Sequence, residues 1–302
     1  MNARPAMNGR PAMNVRRVAG SIGATVLTVL WVAPIILLVL AALGLPGAGT
    51  NGDVAPSIGF DAFREVLAGG PIIAGGIGPY VANSIAVSIP AVFIPLVAGV
   101  LAAYALAWIR FPGSSAVLVT LAALALIPVQ LALLPLAGFF QDGWQFGSIW
   151  LIPPTGLGSS YLPMWCAHAV LLLPLTILVL LAAMTRIPRD VMDQARLDGA
   201  GHALILWRIV LPMLWPAVAS LFLVLFILTW NDLLIALVFA GGLTQVTPVT
   251  AYLALFMTSD AARPSLVSAA AVVAMAIPLA LYALAPSVLH RGIRAAAFVD
   301  AS

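Results

Sequence analysis

RIPRDVMDQARLDGAGHALILWRIVLP, residues 186–212, is the longest polar interruption between two hydrophobic blocks in the second half of the chain. Pro188 suits the first turn of a helix, where its missing N–H costs nothing, and a nearby aspartate favours the helix dipole. We therefore predict a short helix over 188–197, a left-handed cap at Gly199 and a second helical turn over 202–210. This helix-turn-helix elbow is too short to have a core of its own, so it needs a partner.

The composition around the elbow is that of a membrane protein. Of 302 residues, 63% are hydrophobic and only 8% are charged, whereas a soluble domain carries about 25% charged residues. Lysine is absent, which excludes a phosphate-binding Gly-Lys-Ser/Thr loop, so any ATPase must be a separate polypeptide. Cys166 is the only cysteine and cannot form a disulfide within the chain. The net charge of +3 gives no reason to expect nucleic-acid binding.

Six nearly uncharged blocks are long enough to cross a bilayer, which takes roughly 20 helical residues. They are residues 22–43, 80–109, 116–140, 162–185, 209–239 and 266–290. Backbone groups in hydrocarbon must be satisfied within the segment, so these blocks are predicted to be helices. The fold class is an all-α membrane protein, a six-helix polytopic bundle with the elbow between helices four and five.

The bundle is expected to occupy residues 18–295, with short cytoplasmic tails at 1–17 and 296–302. The first tail has no apolar face and is predicted to be disordered, and each of its three methionines is a possible start. An arginine-rich head before an apolar run could also be a secretory signal, but the first block is too long for a signal core. Between the first two blocks, the amphipathic piece 60–67 is expected to cap the outer face of the bundle.

Arginines predict the orientation. If the N-terminus is inside, eleven arginines are cytoplasmic and only Arg64 and Arg263 lie outside. Both termini and the elbow are then cytoplasmic, on the side where ATP is found. The expected location is the cytoplasmic membrane of a bacterium, with multiple passes.

Two polar residues within the predicted spans could carry function. Asp232 is the only acid in a span, and a carboxylate at the bilayer centre costs about 2.5–3.5 kcal/mol. Either Trp230, Asn231 and Asp232 line or gate a path, or Asp232 fixes packing against a partner helix. His168 has no acid or histidine at i+3 or i+4, which favours a packing histidine over a proton relay. Cys166 and His168 lie on different helix faces, so a metal site is not expected.

No sequence pattern points to catalysis. The chain has no Ser-His-Asp, zincin or paired-carboxylate arrangement, so we predict no catalytic residue and no metal site. Prolines within the predicted spans are either hinges for alternating access or static kinks. They are Pro90, Pro95, Pro128, Pro135, Pro174 and Pro278.

The elbow resembles the cytoplasmic EAA loop of binding-protein-dependent ABC importer permeases. The matching residues are Asp193, Gln194, Ala195, Asp198, Gly199, Ala200, Ile209, Leu211 and Pro212. Asp193 replaces the more common glutamate, and Gln194 stands where alanine is usual. The second block also resembles the corresponding segment of carbohydrate permeases of the maltose type. It begins with Asn83-Ser84 and ends with an Ala-Ala-Tyr-Ala-Leu-Ala run and a Phe-Pro-Gly run.

This resemblance implies a permease subunit of an ATP-binding-cassette importer whose elbow couples to a separate ATPase. The chain itself would bind no cofactor, and ATP and magnesium would be used by the ATPase pair. The implied partners are that pair, a second permease chain forming a heterodimer, and an extracellular solute-binding protein. The contact loop for the binding protein would contain Gly241, Gly242, Thr244 and Gln245.

Carbohydrate is the favoured cargo by this resemblance. Importers of amino acids, peptides or polyamines share the elbow and are the alternative within the class. A self-contained channel or secondary carrier would need more intramembrane charge or an inverted repeat. A structural membrane scaffold is a third possibility, and it predicts no loss of transport when the elbow is altered.

Overall fold

The computed structural model describes residues 15–45, 58–70, 75–258 and 263–297. The first half contains α1 (Val15–Ala42), α2 (Asp61–Ala68), α3 (Gly78–Trp108), α4 (Ser114–Ala125), α5 (Val129–Asp142), β1 (Trp144–Phe146) and β2 (Ile149–Ile152). The second half contains α6 (Leu162–Met184), α7 (Arg189–Leu197), α8 (His202–Ile205), a π-helical turn (Leu206–Val210), α9 (Leu211–Trp230), α10 (Leu234–Ala240), α11 (Val249–Met257) and α12 (Pro264–Ala297).

The predicted helical bundle is confirmed. Within the described residues, five helices are long and apolar enough to cross a membrane, and a sharply bent pair brings the number to six if it forms one span. α6 packs along α3, and α9 packs against α3 and α12. Apolar side chains cover the outside of the bundle as well as its core, as expected where lipid replaces water around a multi-pass protein.

Gly99 marks the close approach of α3 to α6. A Cβ atom at this position would lie 2.7 Å from Cγ2 of Thr176 and 3.4 Å from Cδ1 of Leu180. Small residues at such crossings let helix backbones come together in a membrane, where dispersion contacts drive association. The α3–α6 pair is therefore the closely packed frame that positions the polar residues described below.

The third predicted span, 116–140, is not one straight helix. It is broken into α4 and α5, whose axes differ by 97°. Pro128 stands at the break with an extended ψ of 131°. It lacks the N–H needed to continue α4, and it disfavours helical geometry at the residue before it. Pro90, Pro95, Pro135 and Pro174 lie inside continuous helices instead.

The fifth predicted span, 209–239, is also wrong in its boundaries. One continuous helix runs from His202 to Trp230, so the second arm of the elbow is the beginning of the span itself. The chain then breaks over residues 231–233 before α10 begins. Asp232 therefore lies in a break between two helices and not inside a span.

Three further segments differ from or refine the sequence predictions. α1 begins at Val15, inside the tail predicted to be disordered, while residues 1–14 and 298–302 lie outside the described part. The predicted amphipathic piece is α2, and its Val66 is fully buried. β1 and β2 form a small antiparallel hairpin between α5 and α6, a local exception to the all-α prediction.

Candidate functional sites: the elbow and the polar cluster

The corner of the elbow is a Schellman motif. Gly199 has φ +80°, its N–H donates to the carbonyl of Arg196, and the N–H of Ala200 donates to the carbonyl of Ala195, both at 3.0 Å. These two bonds satisfy carbonyls that the end of α7 would otherwise leave open. Glycine adopts positive φ without the Cβ clash that other residues meet, so the left-handed cap predicted at Gly199 is confirmed.

The inner face of the elbow packs against the chain's own bundle. Met192 is fully buried and Ala195 is 7% exposed, both in the main hydrophobic core. The Tyr104 hydroxyl lies 3.0 Å from Nδ1 of His202, and Arg196 donates to the carbonyl of Trp108 at 3.3 Å. Ala195 therefore packs the elbow on the bundle in this structure, and its predicted contact with the ATPase stays a prediction.

The outer face of the elbow is exposed. Asp193, Gln194, Asp198 and Gly199 are exposed, so these predicted coupling residues can reach a partner. Leu197 is 87% exposed although it ends a helix made mostly of polar residues. Leu197 was not among the predicted coupling residues, and the signal that could have found it is an apolar side chain next to a glycine corner.

The second arm of the elbow continues into α9 without a break. The Leu211 N–H donates to the carbonyl of Leu206, five residues earlier, which is the bond pattern of a π-helical turn. Pro212 follows and has no N–H to donate. The helix can therefore widen at this turn without leaving a backbone N–H of residue 212 unpaired. Ile209 is half-buried on this turn. Leu211 and Pro212, the residues predicted to fix the joint, lie in the continuous helix from His202 to Trp230 that contains the second arm of the elbow and α9.

At the other end of α6, roughly 35 Å from the elbow by helix length, polar side chains form a second site, the polar cluster. Asn83 is its centre. Its Nδ2 donates to the carbonyls of Gln245 at 2.8 Å and Thr247 at 3.0 Å, and its Oδ1 accepts from the Tyr161 hydroxyl at 2.6 Å. Ser84 accepts from the backbone N–H of Val249 at 2.8 Å. Two neighbouring residues of α3 thus anchor the loop that follows α10.

That loop contains the residues predicted to contact a binding protein. Gly241 and Gly242 have φ values of +65° and +116°, and the backbone N–H of Thr244 donates to the Thr247 hydroxyl at 2.7 Å. Gln245 is exposed, although its carbonyl is held by α3. The loop is therefore anchored to α3 with the Gln245 side chain exposed, and its anchors, Asn83 and Ser84, were not predicted from sequence to hold it.

The predicted path residues have different environments. Trp230 is 3% exposed and stacks on Phe226 with ring centroids 5.6 Å apart, so it packs in the core here, and its role in a path stays a prediction. Asn231 is exposed. Asp232 accepts from the Ile235 N–H at 2.8 Å through Oδ1, which stabilises the start of α10 as a side-chain cap does.

His168 and Asp232 are brought together by the fold. Nε2 of His168 lies 3.9 Å from Oδ2 of Asp232, with the two side chains 5% and 23% exposed. Nδ1 of His168 is 2.9 Å from the carbonyl of Met164. Helical spacing around His168 gives no sign of Asp232, which is distant in sequence. Among the described residues, no group of three or more His, Cys, Asp or Glu side chains could hold a metal ion.

Comparison with known proteins gives a family match. Residues 95–295 match the family described as binding-protein-dependent transport system inner membrane component. The chain is 34% identical over 240 residues to the alpha-glucoside transport system permease protein AglG of Rhizobium meliloti, covering 80% of this chain and 60% of that protein. It is 33% identical over 207 residues to the osmoprotective compounds uptake permease protein GgtD of Synechocystis, covering 68% and 65%. The matches therefore span about 60 to 65% of the length of these two relatives.

A solved structure shares the fold. A chain of a bacterial ABC transporter involved in the import of the acidic polysaccharide alginate superposes with a TM-score of 0.68, covering 92% of this chain and 98% of that chain. The two sequences are 21% identical.

Proposed function

The chain belongs to the family of binding-protein-dependent transport system inner membrane components, and we propose that it is the permease subunit of an ATP-driven carbohydrate importer. The observation that carries this proposal is the elbow. Its inner face packs against the bundle, while Leu197 and Gly199 at the corner are exposed. A surface of this kind fits a partner that pushes on the bundle.

The elbow transmits movement through α9. Because the second arm, the π-helical turn and α9 form one helix from His202 to Trp230, a displacement of the corner moves the whole helix. This helix ends at the break that carries Asp232 and leads to the anchored loop. The transport cycle would then alternate between two rigid-body arrangements of the bundle, with ATP binding by the partner favouring one of them.

The partners follow from the same proposal. An ATPase pair would hydrolyse magnesium-bound ATP on the elbow side, since this chain has no lysine for a phosphate-binding loop and therefore no ATPase site of that kind. A second permease chain would complete the path as a heterodimer. A solute-binding protein would dock on the opposite side, where Gly241, Thr244 and Gln245 are available. The elbow and both termini would be cytoplasmic, in a bacterial inner membrane.

Carbohydrate is the proposed cargo because AglG, the 34%-identical relative, is named for alpha-glucoside transport. Thermal shift of the cognate solute-binding protein tests this directly. We expect glucosides to raise its melting temperature, and amino acids, peptides and polyamines to leave it unchanged. The opposite pattern would refute the carbohydrate cargo without affecting the importer proposal.

Leu197 provides the test of the elbow. The tagged chain is purified from its own host as wild type, Leu197→Glu and Leu197→Met. Because Leu197 is exposed in the isolated chain, neither variant disturbs the bundle. We expect the wild type and Leu197→Met to retain an ATPase, and Leu197→Glu to lose it or to lose ATP-dependent uptake. Full ATPase recovery and full uptake with Leu197→Glu would contradict the coupling role.

The orientation of the chain in the membrane is tested by labelling of introduced cysteines. In a Cys166→Ala background, Leu197→Cys and Thr244→Cys are treated with a membrane-impermeant maleimide in intact cells. We expect labelling of Thr244→Cys only, and labelling of Leu197→Cys after the membrane is opened. The reverse result would place the elbow outside, away from ATP, and would overturn the importer mechanism.

A further inference from the structure

Two buried polar atoms near the break in span five have no hydrogen-bond partner among the described residues. They are Nε2 of His168 and Oγ1 of Thr229. Both residues line one small cavity, together with Asp232 and Ser84. Unpaired buried polar atoms are rare in native proteins, and ordered water is a common explanation for them.

The hydrogen bonds of His168 define what its second nitrogen can do. Nδ1 lies 2.9 Å from the Met164 carbonyl, and a carbonyl can only accept, so Nδ1 carries a proton. In the neutral ring Nε2 is then an acceptor. It faces Oδ2 of Asp232, which is also an acceptor when ionised, across 3.9 Å. Two acceptors at this distance need a donor between them.

The distance argues against a direct bond. A charge-assisted N–H···O bond is about 2.7–2.9 Å long, whereas these atoms are 3.9 Å apart. The cavity that His168, Thr229 and Asp232 line has a volume of about 10 Å³, which is about the minimum for one water molecule. A water there can donate to Nε2 and to Oδ2 while accepting from the Thr229 hydroxyl. These are three hydrogen bonds, the usual number for a buried water.

We propose that this cavity is a binding site for a single structural water that bridges His168 of α6, Asp232 of the break and Thr229 of α9. The water completes the hydrogen bonding of His168 and Thr229 and links both to Asp232. It makes the break in span five a hydrated joint, fixed to the α3–α6 frame on one side and to the start of α10 on the other. The joint is a property of this chain and does not depend on the cargo or on the ATPase, so its failure would leave the proposed function standing.

Nitrogen-15 labelling of histidine tests the site in the assembled complex in bilayers. The chain has three histidines, and the spectrum of a His168→Gln sample identifies the His168 signals by difference. We expect a proton on Nδ1, none on Nε2, and magnetisation transfer from water protons to Nε2. A proton on Nε2 would show a direct ion pair with Asp232 and would overturn the proposal. The absence of magnetisation transfer from water to Nε2 would overturn it as well.

A matched pair of variants isolates the third ligand. Thr229→Val keeps the shape of the side chain and removes its hydroxyl, while Thr229→Ser keeps the hydroxyl. We expect water transfer to Nε2 to weaken in Thr229→Val, with a lower melting temperature, and to persist in Thr229→Ser. Equal transfer in both variants would refute the role of Thr229. A sodium ion is the other possible occupant of the cavity. If replacement of sodium by choline changes the His168 signals, the occupant is a cation and the proposal of a water is wrong.

Discussion

Serine substitutions at Gly199 and Gly201 separate backbone strain from every other effect at the elbow corner. A Cβ atom at either position would meet nothing within 4 Å, so neither substitution creates a clash. The two glycines differ in φ, which is +80° at Gly199 and −76° at Gly201. Left-handed geometry costs a residue with a Cβ about 1–2 kcal/mol, whereas Gly201 has the extended conformation that serine adopts readily at an N-cap.

The expected effect of Gly199→Ser is local. A loss of about 1–2 kcal/mol changes an opening equilibrium by a factor of about 5–30. The amides that report it are those of Gly199 and Ala200, which donate the two bonds of the corner. Hydrogen exchange of the purified chain, followed by mass spectrometry of the peptide that covers the elbow, should show faster exchange by that factor. Gly201→Ser should exchange at the wild-type rate or more slowly, because serine is a good N-cap.

Two results would refute this reasoning. Unchanged exchange in Gly199→Ser would mean that the corner does not need the left-handed conformation. Equal acceleration in both variants would mean that the added side chain, and not φ, disturbs the elbow. Because each serine is exposed, loss of ATPase binding by Gly199→Ser alone would further tie the shape of the corner to docking.

Three other perturbations test the contacts that position the two sites. Tyr104→Phe removes the hydroxyl that lies 3.0 Å from His202, which should reduce stability by about 0.5–1.5 kcal/mol and accelerate hydrogen exchange in the elbow. Gly99→Ala should lower the melting temperature, with an overpacking cost of about 1–3 kcal/mol, because its Cβ would meet Cγ2 of Thr176. Adding Thr176→Ser removes that methyl group and should restore most of the loss. Asn83→Asp removes both donors to the loop after α10, so limited proteolysis should cut that loop faster, while unchanged cleavage would contradict the anchoring role.

Much of the elbow could be predicted from sequence because its determinants are local. The glycine corner, the polar first helix and the second turn follow from residues within a few positions of each other. The family resemblance read from the same residues agrees with the match over residues 95–295. Burial is different, because it depends on which side of α7 meets the bundle. Ala195 was predicted to lie on the docking surface, whereas in this structure it is buried against the core. Leu197 was not among the predicted docking residues, and it is exposed.

The polar cluster could not be predicted because its members are distant in sequence. Asn83 bonds to carbonyls more than 160 residues away, and His168 meets Asp232 only because α6 lies beside the end of α9. A carbonyl acceptor also has no sequence signature, since every residue carries one.

The sequence alone determined the apolar spans and the polar elbow between them, because hydropathy and glycine conformation act over single turns and single helices. Only the tertiary structure decided where the spans break and which polar atoms meet. Pro128 bends the third span by 97°, but other prolines lie in continuous helices, so the residue type permits a break without requiring one. The contacts of neighbouring helices make that choice, because they determine whether the free energy lost at an interrupted helix is regained by packing and hydrogen bonding elsewhere.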